Sequence, residues 1–189
     1  MANESAGVAR ELLDGALALA DALNQFRLKY ALIGGLAAGY RTHARFTRDV
    51  DFLLTIPQLT LPSLLEDLAR RGFTFDEMTA IREWTQEHMT VLSYHGIRID
   101  WLKPVIPAYH HVLERATEET WLDHKIRVAS AEGLILLKLL VFRTQDQLDI
   151  ENLAAAQRDD LDVAWIQAEW QTVAPLDDPR MLRFLEIIR

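Results

Sequence analysis

Apolar residues recur at helical spacing early in the chain. Val8, Leu12, Leu19, Leu23 and Phe26 alternate with acidic positions, which predicts an amphipathic helix over residues 4–28. Tyr30-Ala31-Leu32-Ile33 is then a short apolar run that stops at Gly34-Gly35, and the small residues Ala37-Ala38-Gly39 continue as a short helix. This is a strand, glycine turn, helix order. A basic loop from Arg41 through His43 and Arg45 to Arg48 leads into Asp49-Val50-Asp51-Phe52-Leu53-Leu54-Thr55, the next strand, closed by Pro57. Leu61 to Arg71 reads as a helix with Pro62 in its first turn and Gly72 at its end. Residues 76–88 are polar and show no clear period. Met89–Tyr94 and Ile97–Leu102 are two strands of a hairpin turning at His95-Gly96.

Beyond Pro104 the pattern is mostly helical, apart from a short strand at Lys125–Ala129. Ser130 is placed to cap a helix, and helices are expected over 131–143, 146–157, 162–173 and 178–188. The pattern gives an α+β fold, with a small mixed β-sheet, an N-terminal helix and a C-terminal helical bundle. The expected division is 1–128 for the α/β core and 129–189 for a helical region packed on it.

Composition narrows the function. The chain has 189 residues, half of them apolar, enough for one domain with a substantial core. A formal net charge of −8 argues against general nucleic-acid binding, and no DNA partner is expected. There are no cysteines, which removes disulfides, thiol nucleophiles and cysteine-ligated zinc. The longest apolar stretch, Leu134 to Phe142, is interrupted by Lys138 and is too short to span a bilayer. The first residues, Met-Ala-Asn-Glu-Ser, are acidic where a signal peptide would be basic. A cytoplasmic location with no membrane partner is the expectation.

The chemistry centres on Asp49 and Asp51. Residues two apart on a strand share a face, so both carboxylates project together while Val50, Phe52 and Leu54 face the core. Two adjacent carboxylates repel and raise each other's pKa, and a divalent cation relieves that repulsion. The spacing alone proves little, because Asp160-Leu161-Asp162 repeats it at an expected helix start, where acids favour the dipole. Context adds weight. Gly34-Gly35 opens a helix where bare backbone can approach a phosphate. Asp100, in Ile97-Arg98-Ile99-Asp100, offers a third carboxylate of the kind a two-metal site uses. Lys138 interrupts a run apolar on nearly all sides and must snorkel out or find an anion. The alternative for Lys138, and equally for Arg143, is an ion pair that staples two helices. Arg41 and Arg45 rank above Arg48 as phosphate contacts. No histidine has a partner at metal-ligand spacing, and Trp165 and Trp170 read as packing anchors.

Tyr30-Ala31-Leu32-Ile33-Gly34-Gly35 followed by Arg45-Phe46-Thr47-Arg48-Asp49-Val50-Asp51-Phe52 resembles the signature of the nucleotidyltransferase (polymerase β-like) superfamily, over roughly residues 28–55. A second block resembles the helical part of AbiEii-like and MenT-like nucleotidyltransferases, which are toxins or abortive-infection effectors of bacterial toxin–antitoxin systems. It runs from Lys138 to Arg143 and on through Gln145-Asp146-Gln147-Leu148-Asp149. The resemblance implies a nucleotidyltransferase core that transfers NMP from an NTP substrate to an acceptor hydroxyl. It implies Mg2+ at a two-metal site of Asp49, Asp51 and Asp100. The nucleotide contacts it implies are Gly34, Gly35, Arg41, Arg45, Lys138, Arg143 and Asp146, with Asp149 joining the catalytic group; which of Asp146 and Asp149 is the functional aspartate stays open. The acceptor would be tRNA or protein, and a cognate antitoxin would be a partner. Two other readings remain: a nucleotide-binding module of the same fold with little turnover, and a transferase acting on a small-molecule antibiotic.

Overall fold

The computed structural model describes residues 2–43 and 47–189, with side chains from residue 9 onward. The expected α+β fold is present, with helices flanking a seven-stranded mixed sheet. In chain order the elements are α1 (Ala2–Gln25), β1 (Lys29–Ile33), α2 (Gly34–Arg41), β2 (Asp49–Thr55), α3 (Leu61–Arg70), β3 (Phe73–Thr74), α4 (Glu77–Gln86), β4 (Met89–Tyr94) and β5 (Ile97–Leu102). They continue with α5 (Pro107–Glu114), β6 (Thr117–Trp121), β7 (His124–Val128), α6 (Ala131–Val141), α7 (Thr144–Ala156), α8 (Val163–Gln171) and α9 (Pro179–Ile187).

The strand order is β3-β4-β5-β2-β1-β7-β6, with β2–β5 and β1–β7 parallel and the other pairs antiparallel. The parallel β2–β5 register sets Asp49 opposite Arg98, Asp51 opposite Asp100, and Leu53 opposite Leu102. The alternate face of the same strands carries Val50, Phe52, Ile99 and Trp101, all fully buried. That face is covered by α1, whose Gly15 comes close to Ile99 and Tyr94, and by α4, whose Trp84 meets Trp101 edge-on at 5.9 Å. The strand alternation therefore separates a dry core face from a face that carries the ionic side chains.

Two elements differ from the sequence expectation. Residues 76–88, left unassigned, form α4; Asp76 caps it by accepting from the Thr79 N–H, and Ala80 and Trp84 supply its narrow buried stripe. Residues 117–121, within the stretch read only as mostly helical, form β6, a solvent-facing edge strand with few apolar positions. Its hairpin with β7 turns at Leu122-Asp123, both with positive φ, without the usual glycine or asparagine signal. Downstream, Ser130 caps α6 by accepting from the Gly133 N–H, and α6, apolar but for Glu132 and Lys138, is buried on almost every side.

Candidate active site

β1 ends at Ile33, and Gly34 follows at φ +67 to open α2. Cross-strand pairing sets Ile33 beside Asp51, so the turn passes directly under the Asp51 carboxylate. A Cβ built on Gly34 would collide with Asp51 Oδ2, so that residue has to be glycine on two counts: the left-handed backbone and the approach. No side chain caps the start of α2, so its first N–H groups have no side-chain acceptor there, and Gly34 and Gly35 line the cavity.

Asp49, Asp51 and Asp100 each offer a carboxylate oxygen, and these three oxygens lie within 4.8 Å of one another. Among the described residues this is the one group of that kind. Thr47 Oγ1 donates to Asp49 Oδ1 at 2.9 Å, and Arg98 Nε donates to both oxygens of Asp100 at 2.8 and 3.0 Å. Burial, together with the Asp49 and Asp100 carboxylates, pushes the Asp51 carboxyl up to about 6, against a pull downward from Lys138 and Arg143. Hard oxygen donors at this spacing suit a divalent cation such as magnesium, so the residues present fit the metal.

The three aspartates form part of the wall of a cavity of about 480 Å³. Along the strands its floor changes from ionic to apolar, from Asp51 and Asp100 to Leu53 and Leu102. One helical stripe of α6 borders it, formed by Leu134, Leu137, Lys138 and Val141 at i, i+3, i+4 and i+7. Tyr109 of α5 and Gln145 also line it.

Lys138 is buried among apolar neighbours and has found its anions. Its Nζ lies 2.5 Å from Asp149 Oδ2 and 3.5 Å from Asp146 Oδ1. Asp146 accepts from the Arg143 N–H at 3.0 Å and from Arg143 Nε at 2.9 Å. Burial alone would raise the Asp146 carboxyl, but these hydrogen bonds and the Lys138 charge hold it below its ordinary range. Lys138, Arg143 and Asp146 all line the cavity.

Two predicted site residues stand elsewhere. Asp149 is not among the residues lining the cavity; it sits behind Lys138, where Gln145 Nε2 donates to its Oδ1 at 3.3 Å. Arg41 is turned to the sheet edge, where it donates to the Ala129 and Val128 carbonyls, Thr117 Oγ1 and Glu119 Oε1. Carbonyls at the end of β7 are acceptors that a guanidinium fork satisfies well, so Arg41 is a clamp on the β6–β7 hairpin and is not among the residues lining the cavity. Arg45 lies outside the described residues. Conversely, Thr47, Arg98 and Gln145 were missed. Arg98 alone left a sequence signal, sharing a strand face with Asp100.

No family model matches the chain, and no curated protein matches it by sequence. Solved structures do. The antibiotic-resistance factor ANT(2'')-Ia is similar with a TM-score of 0.56 at 12% identity, over 86% of this chain and 93% of that one. An antigenic nucleotidyltransferase-like protein from Paracoccidioides brasiliensis is similar with a TM-score of 0.51 at 16% identity, over 95% of this chain and 94% of that one. The chain has the nucleotidyltransferase fold, as its glycine turn and paired strand aspartates led one to expect.

Proposed function

We propose that this protein is a magnesium-dependent nucleotidyltransferase that moves NMP from an NTP to an acceptor hydroxyl. The observation that carries this reading is the convergence of Asp49, Asp51 and Asp100 beside the uncapped start of α2, at a glycine that no other residue could replace. Residues 1–128 are read as the catalytic core, and 129–189 as the helical region that brings Lys138 to it.

Asp49, Asp51 and Asp100 would hold the metal, and magnesium there supplies positive charge to the triphosphate. Gly34 and Gly35 present backbone N–H groups to phosphate oxygens, and Lys138 and Arg143 add positive charge on the α6–α7 side. The acceptor oxygen attacks the α-phosphorus, the bond to the bridging oxygen breaks, and pyrophosphate leaves. Asp100, at the wall of the cavity, would receive the acceptor's proton. Fixed charge and positioning supply most of the acceleration in such chemistry. Asp149 acts one step back, by holding Lys138.

For the acceptor, the AbiEii- and MenT-like pattern from Lys138 to Asp149 favours a toxin of a toxin–antitoxin or abortive-infection system, acting on tRNA or protein. The likeness to ANT(2'')-Ia favours a second reading, a small-molecule antibiotic acceptor. The test incubates the protein with each α-labelled NTP, magnesium, and either total bacterial tRNA, a cell lysate or a set of antibiotics. Label should move to one acceptor class with wild type and not with Asp51→Asn. No transfer to any acceptor, together with unchanged NTP binding by Asp51→Asn, would refute the enzyme.

A further inference from the structure

Asp100 reaches the carboxylate cluster on a strand that carries a cation of its own. Arg98 lies two residues earlier on β5, so both side chains leave the same face of the sheet. Its Nε straddles the carboxylate, 2.8 Å from Oδ1 and 3.0 Å from Oδ2. The Asp100 side chain is 13% exposed and that of Arg98 is 56% exposed, so the guanidinium approaches from the solvent side. The register also sets Arg98 directly opposite Asp49. Lys138 and Arg143 are tied instead to Asp149 and Asp146.

A divalent ion at this cluster needs lone pairs on the oxygens that Arg98 already engages, and it meets a full positive charge resting against its ligand set. We infer that Arg98 is a resident counter-cation of the triad. It orients Asp100 in the metal-free protein and weakens divalent binding until a triphosphate adds its own oxygens to the ion. This rests on reading the triad as a metal site.

Removing Arg98 has two opposed effects. Asp100 loses an orienting partner, which frees one carboxylate rotor and weakens metal binding by a factor of about three. The cluster also loses a directly bonded positive charge, which strengthens binding of a doubly charged ion by about tenfold or more. Charge wins, so the sign is opposite to that of a residue that merely supports the site.

Manganese binding, followed by the electron paramagnetic resonance signal of the free ion without nucleotide, reads that sign. Arg98→Ala should bind Mn2+ several-fold to about tenfold more tightly than wild type. Arg98→Lys, which keeps the charge, should stay within about threefold of wild type. In an Asp100→Asn background the effect of Arg98→Ala should shrink to less than about threefold, because the shared group is gone. A non-hydrolysable NTP analogue should narrow the gap between wild type and Arg98→Ala. Equal or weaker Mn2+ binding by Arg98→Ala, with an unfolding midpoint matching wild type, overturns the inference. Should that variant fail to fold, Arg98→Gln gives the same comparison. If neither wild type nor Arg98→Ala binds Mn2+, with or without the NTP analogue, the metal-site reading fails and takes this inference with it.

Discussion

Two clusters of aspartates flank the same cavity, and they treat their charge differently. Asp146 and Asp149 close around the buried Lys138 ammonium, with Arg143 as a second cation, and the Asp146 carboxyl is held low. Asp49, Asp51 and Asp100 crowd one another, and the Asp51 carboxyl is pushed up to about 6. In the first group two cations face two carboxylates, while in the second Arg98 bonds Asp100 and three carboxylates crowd one another beside an open cavity. Acids paired within the fold serve structure; on the proposed function, the crowded carboxylates are the ones that take a cation from outside.

The sharpest way to break this contrast is to remove the internal cation. Lys138→Met takes the ammonium from between the buried Asp146 and Asp149 carboxylates, and a loss of about 3–5 kcal/mol in denaturant unfolding is expected. The double variant Lys138→Met, Asp149→Leu should recover part of it. Gly34→Ala acts on the other cluster: the new Cβ displaces the Asp51 carboxylate, and nucleotidyl transfer should fall by about a hundredfold or more. Most of its stability should remain.

Asp51→Asn tests the crowded carboxylates. The raised Asp51 pKa favours the metal-free fold below about pH 3.8, and that contribution is lost as pH rises through about 6. Above pH 6, Asp51→Asn should therefore be more stable than metal-free wild type, by on the order of 2 kcal/mol. The gap should grow between pH 4 and 6 and close when magnesium is added to wild type. The smallest effect belongs to Asp162, which shares the Asp-x-Asp spacing but caps α8 by accepting from the Trp165 N–H. Asp162→Ala should lower the unfolding midpoint by a few degrees and leave nucleotide and metal binding unchanged.

The pair Asp160 and Asp162 also marks how far the sequence could be read. Strand β2 and the β4–β5 hairpin were legible to the residue, because period-two alternation and the His95-Gly96 turn leave no other pairing. The α4 helix was not, since only Ala80 and Trp84 face inward, and β6 was not, since an edge strand facing water needs no apolar alternation. Within the site, the carboxylates and Lys138 announced themselves by being misplaced: acids paired on a strand, a cation in an apolar run. Arg41 looked equally available, but its destination depended on where the ends of β7 and β6 would lie, which no local pattern encodes. Arg98 was overlooked for the opposite reason. A surface arginine is ordinary until its neighbour two residues on is known to join Asp51 across a parallel pairing.

That parallel pairing has a consequence for how the protein comes into being. Parallel neighbours cannot be joined by a tight turn, and here the connection between β2 and β5 runs through α3, β3, α4 and β4. The proposed reactive centre draws on Gly34, Asp51, Asp100 and Lys138 together, so no short stretch of nascent chain can assemble it. During synthesis the proposed site stays incomplete until most of the chain has emerged and the middle of the sheet has closed.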